Sequence, residues 1–236
     1  MRLSIVIPTW NEAEHIEDAL AALQSLRRKG VEIIVVDADS ADGTAGLAGP
    51  LADRVMITAR GRARQMNAGA TAARGELLIF LHADTRLPAD ADQAVRAVMQ
   101  SGQRLWGRFD ASIVGRLRLL RVVAASMNLR SRLTGIATGD QAMFMRRETF
   151  FAVGGFPDLP LMEDIVLSAR LKRLGSPACL RARVVTSGRR WERRGLWRTI
   201  LLMWWLRLQF FFGCSAAALA QHYEAKEHAC APPIAK

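Results

Sequence analysis

The sequence predicts an α/β fold in which helices flank a mostly parallel β-sheet. In the first 100 residues, short runs rich in isoleucine and valine alternate with longer segments whose apolar residues recur at helical spacing. Clusters of polar residues follow the ends of three of these runs. Hydrophobic residues make up 50% of the 236 residues, which is enough to bury a large core. We therefore expect one large domain, alone or with a small appendage.

The first predicted unit is a strand, a helix and a second strand. The strands are residues 3–7 and 32–37, and between them residues 12–29 have the periodicity of an amphipathic helix. The apolar positions that show this periodicity are Ile16, Ala19, Leu20, Leu23 and Leu26. Thr9 or Asn11 is expected to cap the helix, and Gly30 to end it.

The alternation continues with a strand at residues 55–57, a helix at residues 64–73 ended by Gly75, and a strand at residues 77–81. Strands joined by helical crossovers are most simply parallel. Ligands bind beyond the carboxyl ends of such strands. The polar loops at these ends, residues 8–12, 37–44 and 82–84, are therefore expected to converge on one edge of the sheet.

The second half of the chain has a coarser pattern, with neither an internal repeat nor a low-complexity linker. Strands are expected at residues 104–114, 142–145 and 178–186, and helices at residues 117–133 and 163–174. Residues 196–212 are the most hydrophobic stretch and are expected to form a C-terminal helical extension.

The charge of the chain favours anionic partners. The formal net charge is +11, and residues 181–198 hold seven arginines against one acid, Glu192. A diphosphate, an anionic membrane and a nucleic acid are the candidates. We do not expect nucleic acid, because neither zinc-finger spacing nor an aromatic RNA-binding signature accompanies the arginines.

The cysteines and the N-terminus indicate a reducing, cytoplasmic setting. The three cysteines, Cys179, Cys214 and Cys230, are scattered and odd in number, which does not suit a disulfide framework, and they form no CxxC pair for structural zinc. The apolar run at residues 3–7 is too short for the core of a signal peptide.

Four motifs in order carry a family resemblance. They are Pro-Thr-Trp-Asn-Glu at 8–12, Val-Val-Asp-Ala-Asp-Ser-Ala-Asp-Gly-Thr at 35–44, Leu-His-Ala-Asp-Thr at 81–85, and the pair Glu163–Asp164. This order resembles the family 2 glycosyltransferases, whose nucleotide-binding domain is called GT-A. Residues 61–67 (GRARQMN), residues 187–195 (SGRRWERRG) and His82 look more narrowly like the bacterial subgroup described as selenodomain-associated transferases. The resemblance covers roughly residues 1–215.

The resemblance implies a domain division and a donor site. Residues 1–195 would form the GT-A catalytic domain, with a nucleotide-binding half at about 1–100 and an acceptor half at about 101–195, and residues 196–236 the helical extension and tail. Asp37 would accept the ring N–H of uracil or guanine. The residues expected to hold the nucleotide sugar are Pro8, Thr9, Asn11, Glu12, Asp37, Arg62, Arg64, Asn67 and Ala83. The alternatives are a turn acid at Asp37 and a solvated basic face at the two arginines.

The resemblance also implies a divalent cation, Mg²⁺ or Mn²⁺, against the diphosphate of the donor. Asp84 corresponds to the second carboxylate of the family's DxD motif, and His82 replaces the first. Both ions prefer oxygen ligands and complete their shell with phosphates and water. Asp84 is therefore the expected metal ligand, whereas His82 is either a second ligand or a packing residue.

Glu163 and Asp164 match the family's catalytic pair. One carboxylate would accept the proton of the acceptor hydroxyl as its oxygen attacks the anomeric carbon opposite the leaving diphosphate, which inverts the anomeric configuration. Two acids at a helix N-terminus are also favourable without any catalytic role.

The same resemblance assigns acceptor and diphosphate contacts. Gly139 and Asp140 would flank the acceptor and sugar pocket. Arg190 would bind the diphosphate and Trp191 would stack on the acceptor, or both would line a basic surface. Ser187 stands where processive relatives have the glutamine of QxxRW, which indicates a non-processive enzyme.

The expected function is therefore inverting, metal-dependent transfer of a sugar, as in a hexosyltransferase, from a nucleoside diphosphate sugar to an acceptor hydroxyl. Two alternatives stay open. A nucleotidyltransferase also uses a nucleotide-binding α/β sheet, but it would be expected to have a glycine-rich phosphate loop after the first strand. A non-catalytic nucleotide-sugar-binding scaffold would keep the fold alone, and the three acids Asp37, Asp84 and Asp164 argue against it.

The hydrophobic stretch at residues 196–212 has 17 residues and includes Arg198 and Arg207, so it is not expected to span a bilayer. The two arginines are nine positions apart, which puts them on opposite helix faces. Packing against the catalytic domain or in a homodimer is the favoured interpretation. Peripheral attachment to the inner face of the cell membrane, with a lipid-linked acceptor, is the alternative.

Overall fold

The computed structural model describes residues 1–228, without the side chains of Arg190 and of residues 224–228. Its centre is an eight-stranded sheet. Strands β1–β8 span Leu3–Thr9, Glu32–Asp37, Arg54–Ile57, Leu77–Phe80, Thr85–Arg86, Trp106–Val114, Phe144–Arg146 and Ala178–Ser187. Helices α1–α11 span Ala13–Ala21, Gln24–Arg28, Thr44–Ala48, Arg62–Ala72, Ala91–Gln100, Leu120–Thr134, Arg147–Ala152, Glu163–Leu174, Arg189–Arg194, Leu196–Phe211 and Ala216–His228. Single 3₁₀ turns occur at Gly49–Leu51 and Gly139–Gln141.

The strand order is β3-β2-β1-β4-β7-β6-β8-β5. The first four strands are mutually parallel, as the helical crossovers predict. Beyond β4 the sheet is mixed: β7 is antiparallel to β4 and β6, β8 runs parallel to β6, and the short β5 is antiparallel to β8. The predicted α/β fold is confirmed, with its parallel core in the N-terminal half.

The central strands are buried on both faces, because helices cover each side of the sheet. Along β1, Leu3, Ile5 and Ile7 belong to one hydrophobic cluster, whereas Val6 belongs to the other. The alternation of side chains along a strand makes this division possible. Continuous apolar runs in the sequence are the expected signature of such doubly covered parallel strands.

One long helix predicted at residues 12–29 is wrong, since the structure has two helices, α1 and α2, separated by a turn. The amide of Gln24 donates both to the Leu20 carbonyl and to the Leu51 carbonyl, each at 2.9 Å. The side chain thus takes over a backbone acceptor of the preceding turn, which competes with a continuous helix. Gly30 follows α2 with φ of 83°, in agreement with the predicted stop.

The sequence pattern missed several elements, namely β5 and helices α3, α5, α7 and α9. Helices α5 and α7 lie in stretches for which no helix is predicted from the sequence. Val95 and Met99 of α5 and Phe150 of α7 are nevertheless fully or almost fully buried. The strands predicted at residues 55–57, 142–145 and 178–186 are present, and their ends differ from the prediction by one or two residues.

At the C-terminus, the hydrophobic stretch forms α10, which is followed by α11. Within residues 1–228, none of the helices combines the length and the apolar character that crossing a bilayer requires. Cys179 and Cys214 are free thiols, and Cys230 lies outside the described residues.

Helix α4 packs closely against the sheet at Gly69, and this contact predicts how a larger side chain there would change the stability of the protein. A Cβ added at Gly69 would overlap Val6 Cγ1 and lie 3.0 Å from Val36 Cγ2, whereas a Cβ at Gly46 of α3 would meet open space. Gly69→Ala is therefore expected to lower the free energy of unfolding by about 1–3 kcal/mol. Gly46→Ala, the matched control, should leave it unchanged or raise it by up to about 1 kcal/mol. Urea unfolding of both variants measures the difference, and equal effects would contradict the packing argument.

Candidate functional site

The polar loops after β1 and β2 meet at the side chain of Asp37. Asp37 is fully buried. Its carboxylate accepts hydrogen bonds from Thr9 Oγ1 at 2.8 Å and from the backbone N–H and hydroxyl of Ser40, both at 2.7 Å. Nearby, the amide of Gln65 donates to the carbonyls of Thr9 at 2.7 Å and Val36 at 2.8 Å. The carboxyl ends of the two strands are thus tied to each other and to α4.

Asp37 in this arrangement shapes the loop and offers no exposed acceptor atom. Its contact with a nucleotide base therefore stays a prediction. Pro8, also predicted to line this site, pairs with Val36 across the two strands, and Ala83 is buried in the loop after β4. Sequence reasoning missed Gln65, although its position in the GRARQMN motif is a signal for it.

The N-terminus of α1 is capped from the neighbouring loop. Asp42 accepts a hydrogen bond from the Ala13 N–H at 3.0 Å, and Thr44 Oγ1 accepts one from the Glu12 N–H at 3.0 Å. The predicted cap by Thr9 or Asn11 is wrong. The Thr9 hydroxyl is used by Asp37, and Asn11 adopts φ of 51° with its N–H donated to Ser40.

Arg189 lies between the loops after β1 and β4. Its Nη2 atom is 3.7 Å from Glu12 Oε2 and 3.8 Å from Asp84 Oδ2. Burial raises the pKa of Glu12, and the Asp84 charge acts in the same direction, whereas Arg189 opposes both. The carboxylates of Glu12 and Asp84, which follow different strands, therefore lie around one point that the guanidinium group of Arg189 also reaches.

These carboxylates suit a divalent cation that is shared with a substrate. Among residues 1–228, no cluster of three or more histidine, cysteine, aspartate or glutamate side chains is arranged to hold a metal ion by itself. Asp84 and Glu12 are both partly accessible and supply hard oxygen ligands. Mg²⁺ is commonly held by one or two carboxylates, with phosphate oxygens and water completing its shell. The site fits an ion of this kind only together with a bound phosphate.

His82 has no ring nitrogen directed at the same position. Its Nδ1 atom is 3.4 Å from Asp140 Oδ1, and its Nε2 atom is buried without a hydrogen-bond partner among the described residues. A Cβ on Gly139 would overlap that Nε2 atom, so the Nε2–Cε1 edge of the ring packs closely against the 3₁₀ turn Gly139–Gln141. The geometry favours a packing role for His82 over metal ligation.

Asp164 and Glu163 begin α8 and face this turn. Asp164 is partly exposed, and its Oδ2 atom accepts a hydrogen bond from the Gly139 N–H at 2.8 Å. Glu163 is only 3% exposed and lies 3.3 Å from Arg62 Nη1. Burial raises the pKa of Glu163, as does the neighbouring Asp164 charge, and Arg62 counteracts them. The two acids therefore differ, one being accessible and the other buried against a cation.

A cavity of about 80 Å³ lies over this pair. It is lined by Arg62, His82, Thr138, Gly139, Asp140, Leu161, Met162, Glu163, Asp164 and Ile165, and from helices α10 and α11 by Met203, Arg207 and Tyr223. Sequence reasoning missed the last three. Arg207 was the available signal, because an arginine inside an apolar helix needs a polar environment. A larger cavity of about 480 Å³ between β6 and α6 lies away from these acids.

Three predicted site residues, Arg64, Asn67 and Trp191, lie outside the lining of this cavity. Arg64 forms a bidentate ion pair with Asp158, and the Asn67 amide exchanges hydrogen bonds of 2.8 and 3.0 Å with the backbone of Phe156. Both side chains hold α4 to the loop before α8. Trp191 packs with Ile113, Leu120 and Leu196, outside the cavity lining. The side chain of Arg190 lies outside the described part of the chain.

The family model described as glycosyl transferase family 2 matches residues 4–153, which is more than half of the chain. The chain belongs to this family. The matched stretch includes the loops around Asp37 and Asp84 and ends before Glu163 and Asp164. A comparison with curated proteins gives no significant match.

Solved structures of glycosyltransferases share the fold. A mannosyltransferase from Pyrobaculum calidifontis, in complex with GDP-Man and Mn²⁺, aligns with a TM-score of 0.59 at 24% identity over 78% of this chain and 56% of its own. S. aureus TarS in complex with UDP-GlcNAc gives 0.63 at 18% identity over 79% and 58%. Mannosyl-3-phosphoglycerate synthase from Rubrobacter xylanophilus gives 0.60 at 20% identity over 100% and 77%. The chain thus spans little more than half the length of the first two. At these identities the likeness establishes the GT-A fold and leaves the narrower subgroup resemblance a prediction.

The hydrogen bonds of Asp37 predict an effect on stability. Asp37→Asn places an amide N–H₂ against donors and is expected to lower the free energy of unfolding by about 1–3 kcal/mol. Asp39→Asn, two residues on and exposed, should change it by less than about 0.5 kcal/mol. Thermal or urea unfolding without ligand tests this, and unchanged stability of Asp37→Asn would contradict the loop-shaping role.

Proposed function

We propose that the protein is an inverting, non-processive glycosyltransferase that moves a sugar, as a hexosyltransferase does, from a nucleoside diphosphate sugar to an acceptor hydroxyl. Residues 1–195 form its catalytic domain and residues 196–236 its extension. The observation that carries the proposal is the placement of Asp164. This partly exposed carboxylate begins a helix, lines a cavity and is held by the Gly139 N–H, in a chain whose N-terminal half belongs to a glycosyltransferase family.

Asp164 is the proposed general base. Its two oxygens accept backbone hydrogen bonds from Gly139 and Ile165, at 2.8 and 2.7 Å, which orient the carboxylate and leave lone pairs for an acceptor hydroxyl. As the acceptor oxygen bonds to the anomeric carbon, its proton passes to Asp164, and the bond to the nucleoside diphosphate breaks on the opposite side. The anomeric configuration is inverted by this single displacement.

Glu163 is proposed to support the base without acting as one. Its burial and its contact with Arg62 fix the start of α8, and the same arginine lies at the cavity that holds Asp164. Burial raises the pKa of Glu163, and Arg62 opposes that shift. Asp164 is the member of the pair that is accessible to an acceptor hydroxyl.

The departing diphosphate is expected between the loops after β1 and β4. Asp84, with Glu12, would hold a divalent cation, Mg²⁺ or Mn²⁺, that neutralises charge developing on the leaving group. Arg189 reaches the same position and is the proposed arginine contact to phosphate oxygens. Thr9, Asn11 and Asp37 belong to the loops that would surround the nucleotide.

The first assay measures binding and hydrolysis of candidate sugar donors. The P. calidifontis mannosyltransferase structure holds GDP-Man and a TarS structure holds UDP-GlcNAc, so both donors belong in the first thermal-shift screen, with and without Mn²⁺. Ligand binding to the folded state raises the unfolding temperature, and the rise increases with the affinity and the concentration of the ligand. Donor hydrolysis in the same samples separates an enzyme from a nucleotide-sugar-binding scaffold, which would bind without turnover.

Metal-dependent donor binding is predicted to require Asp84. Asp84→Ala should abolish the Mn²⁺-dependent part of the thermal shift and leave the unfolding temperature without ligand unchanged, because this loop side chain is partly exposed. Asp90→Ala removes an exposed carboxylate from the same stretch and is the matched control. If Asp84→Ala keeps its full Mn²⁺-dependent shift, the metal assignment is wrong.

Turnover is predicted to require the charge of Asp164. Asp164→Asn keeps an acceptor oxygen for one of the two backbone N–H groups but cannot take the proton, so kcat should fall by about 100-fold or more, with donor affinity retained. Asp18→Asn, the control, changes an exposed acid of α1 and should leave kcat within about twofold. Normal turnover of Asp164→Asn would exclude it as the base and direct attention to Asp140.

A further inference from the structure

Helix α10 exposes a continuous apolar stripe along its length. Trp197, Leu201, Trp204, Leu208 and Phe211 are 68%, 68%, 71%, 54% and 83% exposed. Their spacings of four, three, four and three residues place them on one face of an α-helix. Trp205 and Phe212, 39% and 73% exposed, widen the same face. Contiguous aromatic surface of this kind marks an interaction site.

The opposite face of α10 is occupied by the protein. Leu206 is fully buried in a cluster with Met162 and Leu219, and Met203 and Arg207 line the cavity over Asp164. Arg207 therefore lies on the inner face, away from the stripe. The spacing of the two arginines, which argues against an amphipathic surface helix in the sequence, is thus explained by one inward and one exposed arginine.

The surroundings of the stripe are strongly basic. Residues 111–139 and 192–223 contain nine arginines and one acid, Glu192, whose carboxylate accepts a hydrogen bond from the Arg116 N–H. Exposed members next to the stripe are Arg193 and Arg198. Helix α6 packs beside α10 through Leu120 and Leu196 and has further exposed apolar side chains, Leu129 at 58% and Leu133 at 77%. Any partner of this surface must supply both apolar contacts and negative charge.

A second copy of the chain is a poor partner on these grounds. A two-fold dimer places the same patch of each subunit against the other. Its flanking arginines would then lie against the same basic patch of the second copy, where Glu192 is one acid against nine arginines. An anionic bilayer supplies what such a dimer lacks, because its headgroups attract arginine and its interface accommodates tryptophan and phenylalanine rings.

We propose that α10 lies flat in the surface of an anionic bilayer, with the stripe toward the acyl chains and Arg193 and Arg198 among the headgroups. A helix of this type binds through buried apolar area together with attraction to anionic lipid. Since the inner face of the same helix lines the cavity over Asp164, the cavity would lie beside the membrane. If the proposed function holds, that placement favours an acceptor presented at the bilayer surface.

The test is co-sedimentation of the full chain with vesicles of phosphatidylcholine, with or without phosphatidylglycerol. Binding is expected with the anionic vesicles at low salt, a shift of tryptophan emission to shorter wavelength should accompany it, and high salt should weaken it. Replacing Trp204 and Phe211 by serine should reduce the partition coefficient by tenfold or more. Phe151→Ser, which removes an exposed ring from α7, is the matched control and should bind like the unchanged protein.

Charge reversal tests the headgroup contacts separately. Arg193→Glu and Arg198→Glu should each reduce binding by about fivefold or more. Arg28→Glu, an exposed arginine at the end of α2, should have little effect. Circular dichroism confirms that each variant is folded, and none of these readouts depends on glycosyl transfer.

Three outcomes would overturn the proposal. The first is the absence of binding to anionic vesicles at low salt. The second is equal binding to vesicles of phosphatidylcholine alone, which removes the requirement for negative lipid. The third is a dimer by analytical ultracentrifugation that the Trp204 and Phe211 replacement converts to a monomer, which would assign the stripe to a second copy of the chain.

Discussion

Burial of the central strands on both faces is the constraint on which the site depends. Side chains of β1, β2 and β4 alternate between two hydrophobic clusters. A polar side chain on either face of the parallel core is therefore buried and needs hydrogen-bond partners within the protein. Reactive side chains must therefore leave the sheet where the strands end. The loops after β1, β2 and β4 share one edge because these strands are parallel neighbours. The parallel order β2-β1-β4 thus places Glu12, Asp37 and Asp84 at the same edge of the sheet.

The second half of the site is attached to this edge through close packing at Gly139. The glycine donates its N–H to Asp164 on one side and lies against the ring of His82 on the other. His82 belongs to the same loop as Asp84, so the position of the proposed base is fixed relative to the proposed metal ligand. A side chain at position 139 would push the ring away and separate them. The histidine in the place of the motif's first carboxylate thus has a structural explanation that requires no metal.

The sequence predicted those features that depend on local pattern, and it failed where distant contacts decide. Continuous apolar runs located β1, β2 and β4, and the order of the motifs indicated the family, because both are properties of short stretches. The break between α1 and α2 depends on a Gln24 contact with Leu51, which periodicity does not show. Periodicity also does not show the contacts of Arg64 and Asn67, whose partners lie about 90 residues away in the loop before α8. The role of these two residues in holding the nucleotide sugar stays a prediction. Residue type indicates chemistry, whereas the fold decides which partner is within reach.

Helix α10 shows how residue type and position in the fold together determine the environment of a segment. Its composition alone left three environments open: packing against the catalytic domain, a homodimer interface and the membrane surface. In the structure Arg207 and Met203 face the cavity, whereas Trp197, Trp204 and Trp205 are exposed on the other side of the helix. A helix with both faces engaged couples them physically, because displacing its outer face must move the side chains that cover Asp164. A partner bound to the stripe is therefore connected, through a single helix, to the side chains that line the cavity over the proposed base.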